Sequence, residues 1–112
     1  MYDWLRSFQA AVTVADKEGV VIAMNEKACL TFTGSASDTS LVGSSLYHCH
    51  KPESIQKIKH MLATGENNIY TIENNGVKKM IVQQPFLEDG EVAGIVEISI
   101  VLPEQMPHYV RD

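Results

Sequence analysis

Asn75-Gly76 stands between two runs of β-forming residues, Asn68–Glu73 and Val77–Phe86, and constrains this chain more than any other short feature. A two-residue hairpin turn whose twist matches its flanking strands needs positive φ at both central positions, and Asn-Gly supplies that at least cost. A second turn, Leu87-Glu88-Asp89-Gly90-Glu91, joins Val77–Phe86 to Val92–Leu102. The last third therefore reads as three consecutive antiparallel strands. Near the start, Ala11–Asp16 and Val20–Met24 are rich in Val, Ile and Ala and meet across Asp16-Lys17-Glu18-Gly19, which predicts a first hairpin.

The middle is helical and loop-rich. Asn25 has the side-chain oxygen of a helix N-cap, and Glu26–Leu30 follows as a short helix. Pro52–Ala63 predicts a longer one: Pro52 suits the first turn, Glu53 complements the positive end of the dipole, and Gly65 ends it. Ile55, Ile58 and Leu62 form its apolar stripe, leaving Gln56, Lys57, Lys59 and His60 to solvent. Between the helices, nine of the fourteen residues in Thr33–Leu46 are Ser, Thr or Gly, which predicts a mobile loop with a turn near Leu41–Gly43. Asp3–Gln9 predicts one or two helical turns with Trp4, Leu5 and Phe8 on one side. The fold class is α+β: a five-stranded antiparallel sheet with helices inserted between strands 2 and 3 and covering one face.

At 112 residues the chain is expected to be a single domain, 1–112, with a core over about 8–102 and a tail over 103–112. Nine Lys and Arg against fourteen Asp and Glu, with no basic run beyond Lys78-Lys79, argue against a nucleic-acid partner. The longest unbroken apolar stretch, Val20–Met24, is far too short to span a membrane. Two cysteines in separate segments and an N-terminus without a signal-peptide layout point to reduced thiols and a cytoplasmic protein.

The order of elements, the Asp16…Gly19 turn, the Met24-Asn25 entry into a helix and the Leu41-Val42-Gly43 segment together resemble the PAS sensor domain, from about Phe8 to Leu102. More narrowly the chain is similar to small stand-alone bacterial PAS proteins through Met24-Asn25-Glu26, Cys49-His50, Tyr70-Thr71-Ile72-Glu73 with Asn75-Gly76, and the ending Met106–Asp112. It departs from them at Lys51, which separates Cys49-His50 from Pro52, and at Phe86. The resemblance implies a hollow between sheet and helices that takes haem, flavin, small acids or metals, or is filled by side chains. It implies signalling through the outer sheet face and the termini as a homodimer. With no output domain attached, the signal would pass to a separate protein in trans.

His48-Cys49-His50 is the densest group of candidate ligands, set just before the Pro52 helix, where the dipole would stabilise a thiolate at Cys49. His50 could ligate haem iron or donate to a bound carboxylate. Adjacent residues cannot converge on one tetrahedral ion and no CxxC or HxxxH partner exists, so no metal site is predicted. The plainer alternative is a buried Cys49 packing as a small hydrophobe beside a backbone-bonded histidine.

Strand alternation puts Val96, Ile98 and Ile100 on one face and Ile95, Glu97 and Ser99 on the other, and both faces are partly apolar. The second face is expected to meet the N-terminal turn bearing Trp4 and Phe8 and another subunit. Tyr70, Gln84 and Glu97 are the strand residues expected to point at a ligand; Asn25 joins them chiefly as a cap. No nucleophile elbow and no phosphate-cradling glycine motif is present, so no enzyme activity is expected. The leading function is a sensor binding a small molecule between sheet and helices. A ligand-free interaction module, and a haem or redox sensor acting through His50 or Cys49, are the alternatives. Haem and flavin stay open; neither is required.

Overall fold

The computed structural model describes residues 2–48 and 50–112. The elements run α1 (Asp3–Arg6), β1 (Ala11–Asp16), β2 (Val21–Met24), α2 (Glu26–Thr33), a single 3-10 turn at Leu46–His48, α3 (Pro52–Thr64), β3 (Asn68–Asn74), β4 (Val77–Glu88) and β5 (Glu91–Val101). The strands form one antiparallel sheet in the order β2-β1-β5-β4-β3, so the last strand lies at the centre beside the first.

Turn chemistry sets the register. Asn75 and Gly76 both have positive φ, and Asn74 pairs with Val77 across them. Asp89 and Gly90 repeat the arrangement with Glu88 opposite Glu91. This second turn is two residues long rather than the expected five, because Asp tolerates the left-handed region almost as Asn does. From these two turns follows a row of directly paired residues across four strands: Thr13, Glu97, Gln83 and Asn68. Paired residues share a face, so the row lies with Ala15 and Ile95 on the inner face, under the helices.

Asn25 joins the layers. It is fully buried, and its Oδ1 accepts from the amides of Val12 on β1 (2.9 Å) and Ala28 on α2 (3.0 Å). Its Nδ2 donates to the carbonyls of Ala10 (2.8 Å), Leu5 (3.2 Å) and Phe8 (3.3 Å). The cap expected from sequence is present, and the same amide also fixes the N-terminal segment. α2 runs past Leu30 to Thr33 and ends at Gly34, whose φ of 85° closes a left-handed cap.

Two apolar clusters fill the space between layers: Ala11, Val21, Met24, Ala28 and Cys29 under α2, and Ala15, Ile58, Met61 and Ile95 under α3. Ile58 is buried as the stripe predicts, but Met61 is the second anchor, with Ile55 and Leu62 only half-buried. Burying Ile58 and Met61 contributes on the order of 3–6 kcal/mol. The sheet passes so close to itself at Gly94 that a Cβ there would run into the Ala15 carbonyl and the Phe86 ring.

Two expectations are corrected. The Ser/Thr/Gly-rich segment is not free at its C-terminal end: Gly43 donates to Val21 (2.7 Å), Val21 to Ser44 (2.9 Å) and Leu46 to Gly19 (2.8 Å), fastening residues 43–46 to β2 and the turn before it. Nor does α1 cover a sheet face with its aromatics. Tyr2, Trp4 and Phe8 stack on one another and stay exposed, and no residue of α1 is buried. No helix among the described residues is long and apolar enough to cross a membrane.

Replacing Asn25 by Ala would strand the buried amides of Val12 and Ala28 and take one donor from the carbonyls of Leu5, Phe8 and Ala10. Each unmet buried group costs ~1–3 kcal/mol, so the Asn25→Ala chain is expected to lose ~3–5 kcal/mol, read from urea unfolding. A loss below ~1 kcal/mol would show that water or backbone movement replaces the amide.

Candidate functional site

The polar row on the inner face is a hydrogen-bonded ladder. Asn68 Nδ2 donates to Gln83 Oε1 (2.9 Å), and Gln83 Nε2 donates to Glu97 Oε1 (3.1 Å). Side-chain amides and a carboxylate on a covered sheet face would be costly unpaired, and the ladder offsets that cost. Above it, Ile58, Lys57 and Ser54 come from α3 and His50 from the segment leading into it.

Two adjoining spaces lie between these groups and share His50, Ile58, Gln83 and Glu97 as walls. The inner one is lined also by Thr13, Ala15, Leu46 and Ile95 and measures about 20 Å³. That is room for about one water molecule. The outer one is a cleft of about 330 Å³ lined by His50, Ser54, Lys57, Ile58, Asn68, Tyr70, Gln83 and Glu97. A larger groove of about 640 Å³ runs between residues 7–11, α2 and the ends of β4 and β5, past Leu30 and Val101. Volume alone does not choose between them. The cleft under α3 is set apart by its polar lining: His50, Ser54 and Lys57 on one side and Asn68, Gln83 and Glu97 on the other, with Ile58 as its one aliphatic residue.

The sequence-expected residues are distributed unevenly. His50, Tyr70 and Glu97 line the cleft together. Gln84 does not: it pairs with Val96 on the outer face, and Gln83 occupies the inward position. Asn25 lies in the α1–β1–α2 junction and lines none of these spaces. Cys49 falls outside the described residues. His48 is exposed at the end of the 3-10 turn. Ser54, Lys57, Asn68 and Gln83 are the cleft residues that sequence reading missed.

Electrostatics separate the titratable groups. Burial, then the negative charge of Glu97, push the Tyr70 phenol above its ordinary range, so it stays protonated. His50 Nδ1 lies 2.7 Å from the Leu46 carbonyl, which only accepts, so Nδ1 carries the hydrogen and a neutral ring keeps Nε2 as an acceptor. Burial also raises the Cys29 thiol, which packs as a hydrophobe in the α2 cluster. Among the described residues no cluster of His, Cys, Asp or Glu could hold a metal ion.

By sequence, the chain matches no family model and no curated protein. By structure it matches domains whose sheet and helices superpose closely. The PAS domain of the histidine kinase ThkA aligns with a TM-score of 0.65 and 17% identity over 81% of this chain and 97% of that one. The PAS domain of BvgS from Bordetella pertussis gives 0.64 and 19% over 90% and 82%. The Aer2 receptor from Vibrio cholerae, a dual PAS-haem oxygen sensor, gives 0.61 and 18% over 84% and 95%. The chain has the PAS fold.

In this PAS-fold chain the hollow between sheet and helices is largely filled. Haem or flavin does not fit the inner space of about 20 Å³ unless α3 and the sheet part.

The raised Tyr70 phenol gives a direct check of the geometry. Its folded-state pKa lies above the unfolded one, so its contribution to stability is present below the unfolded value and is lost as pH rises through the folded one. Burial, then Asp16, also raises the Tyr47 phenol, so spectrophotometric alkaline titration should show two late-ionising tyrosines, of which one is lost in Tyr70→Phe. In Glu97→Gln the Tyr70 midpoint should move down; an unchanged midpoint would place Glu97 away from the phenol.

Proposed function

We propose that this chain is a sensor domain of signal transduction that binds a small polar molecule in the cleft between α3 and the inner face of the sheet. The observation that carries this reading is the convergence of Lys57, Ser54 and His50 from one layer with Tyr70, Asn68, Gln83 and Glu97 from the other. An occupant touching both layers would draw them together. Glu97 stands on β5, the central strand, between Val96 and Ile98, which face the opposite side. Movement of Glu97 therefore reaches the outer face without any intermediary element.

That outer face suits a homodimer contact. Val14, Val82, Val96 and Ile98 are half-buried on it, and Ile69 and Ile100 are exposed beside them. Occupancy of the cleft would be passed to a separate signalling protein through that face. The reading includes no catalytic step, no nucleic acid and no membrane.

A second reading, a ligand-free interaction module, is favoured by the small size of the inner space. The two are separated by filling the cleft. Ser54 lies in the first turn of α3 at the cleft wall, and Ser54→Trp would occupy the opening. Native mass spectrometry of the chain equilibrated with a low-molecular-weight filtrate of cell extract should show a bound mass. Ser54→Trp should lose it while keeping its thermal unfolding transition. No bound mass for the unaltered chain, or retention by Ser54→Trp, would move the function to the interaction module.

A further inference from the structure

Two opposite charges line the cleft without neutralising each other. Lys57 on α3 and Glu97 on β5 both border it, yet no salt bridge joins them; among the described residues the ion pairs are Arg6–Asp3 and His60–Glu66. The Glu97 carboxylate is held by one oxygen only. Oε1 accepts from Gln83, itself held by Asn68, while Oε2 has no hydrogen-bond partner among the described residues. The ladder thus holds by one oxygen a carboxylate that borders the cleft.

On the sheet side the Glu97 Oε2 and the oxygen of Tyr70 are accepting groups. Donating groups lie on the α3 side, in the Lys57 ammonium and the Ser54 hydroxyl. A cleft of about 330 Å³ is at the small end of ligand sites, which fits a compact molecule.

We propose that the ligand is a small zwitterion of the amino-acid class, its carboxylate on Lys57 and Ser54 and its protonated amine on Glu97. The inference rests on the reading of this cleft as the ligand site and names the chemistry that site selects. Charge balance gives the selectivity. A zwitterion pairs both cleft charges at once and leaves the net charge unchanged. A simple acid would bring a second carboxylate against Glu97, and a simple amine a second cation against Lys57; like charges at close range oppose binding. The phenol of Tyr70, kept protonated beside Glu97, adds a neutral wall to the amine side.

The test uses the full chain with three matched sets of probes: the twenty common L-amino acids, the corresponding acids lacking the amine, and the corresponding amines lacking the carboxylate. Thermal-shift screening is followed by isothermal titration. At least one amino acid should bind, with its matched acid and amine weaker by about tenfold or more, the size expected for a lost charge-assisted bond. Glu97→Gln should erase the preference for the amino acid over the acid, and Lys57→Gln its preference over the amine, both with unchanged unfolding transitions. An acid or amine binding as tightly as every amino acid would overturn the inference, as would substitutions that leave both preferences intact. If no probe binds while Ser54→Trp still removes a bound mass from the extract experiment, the zwitterion assignment falls and the cleft reading stands. If that mass is also missing or persists, both fall.

Discussion

A single buried amide holds this fold in register. Asn25 occupies the point where β2 becomes α2, and its side chain meets two amides and three carbonyls drawn from α1, β1 and α2. A larger apolar side chain there would bury more surface but leave the buried Val12 and Ala28 amides unmet, and each unmet group costs more than one apolar contact returns. The consequence reaches across the sheet. Asn25 fixes β1, β1 pairs with β5 from Ala11 to Asp16, and β5 carries Glu97. The carboxylate at the site is therefore positioned by a residue in none of the cavities.

The cleft itself arises from a conflict between two requirements. The inner face must be apolar to hold α3 by Ile58 and Met61, and one row of it is instead polar. That row lies where α3 gives way to its own first turn and the His50 segment, so the polar groups find one another and an opening rather than a dry interface. Filling the row with aliphatic side chains would strengthen the core and remove the site. The small inner space beside it, and the absence of any ion pair between Lys57 and Glu97, follow from the same arrangement.

Most of the architecture was legible because turn and cap chemistry is local. Asn75-Gly76, Asn25 and Gly65 each reveal themselves within four residues, and those signals delimit β3, β4, α2 and α3. The site was legible in part. Of the three strand residues expected to face a ligand, Tyr70 and Glu97 line the cleft and Gln84 does not. Parity alone excludes Gln84: the two-residue turn pairs Tyr70 with Ile81, so Gln83, two residues further on, shares its face and Gln84 cannot. The remaining departures are tertiary. Nothing near Thr33–Leu46 announces its backbone bonds to β2, and the apolar residues of α1 do not reveal that they stack on each other. Lys57 is exposed as its place on the polar side of α3 predicts, and only the tertiary fold shows that it also borders the cleft.

Entry of a ligand between α3 and the inner face of the sheet can be followed by backbone amide NMR spectra recorded while the low-molecular-weight extract filtrate is added. Shifts should concentrate at His50–Ile58, Asn68–Tyr70, Gln83 and Glu97, with smaller changes at Val96 and Ile98 as β5 responds. Shifts confined to the outer face around Val82, Gln84 and Val96, or to the groove beside α2 at Leu30 and Val101, would contradict entry there.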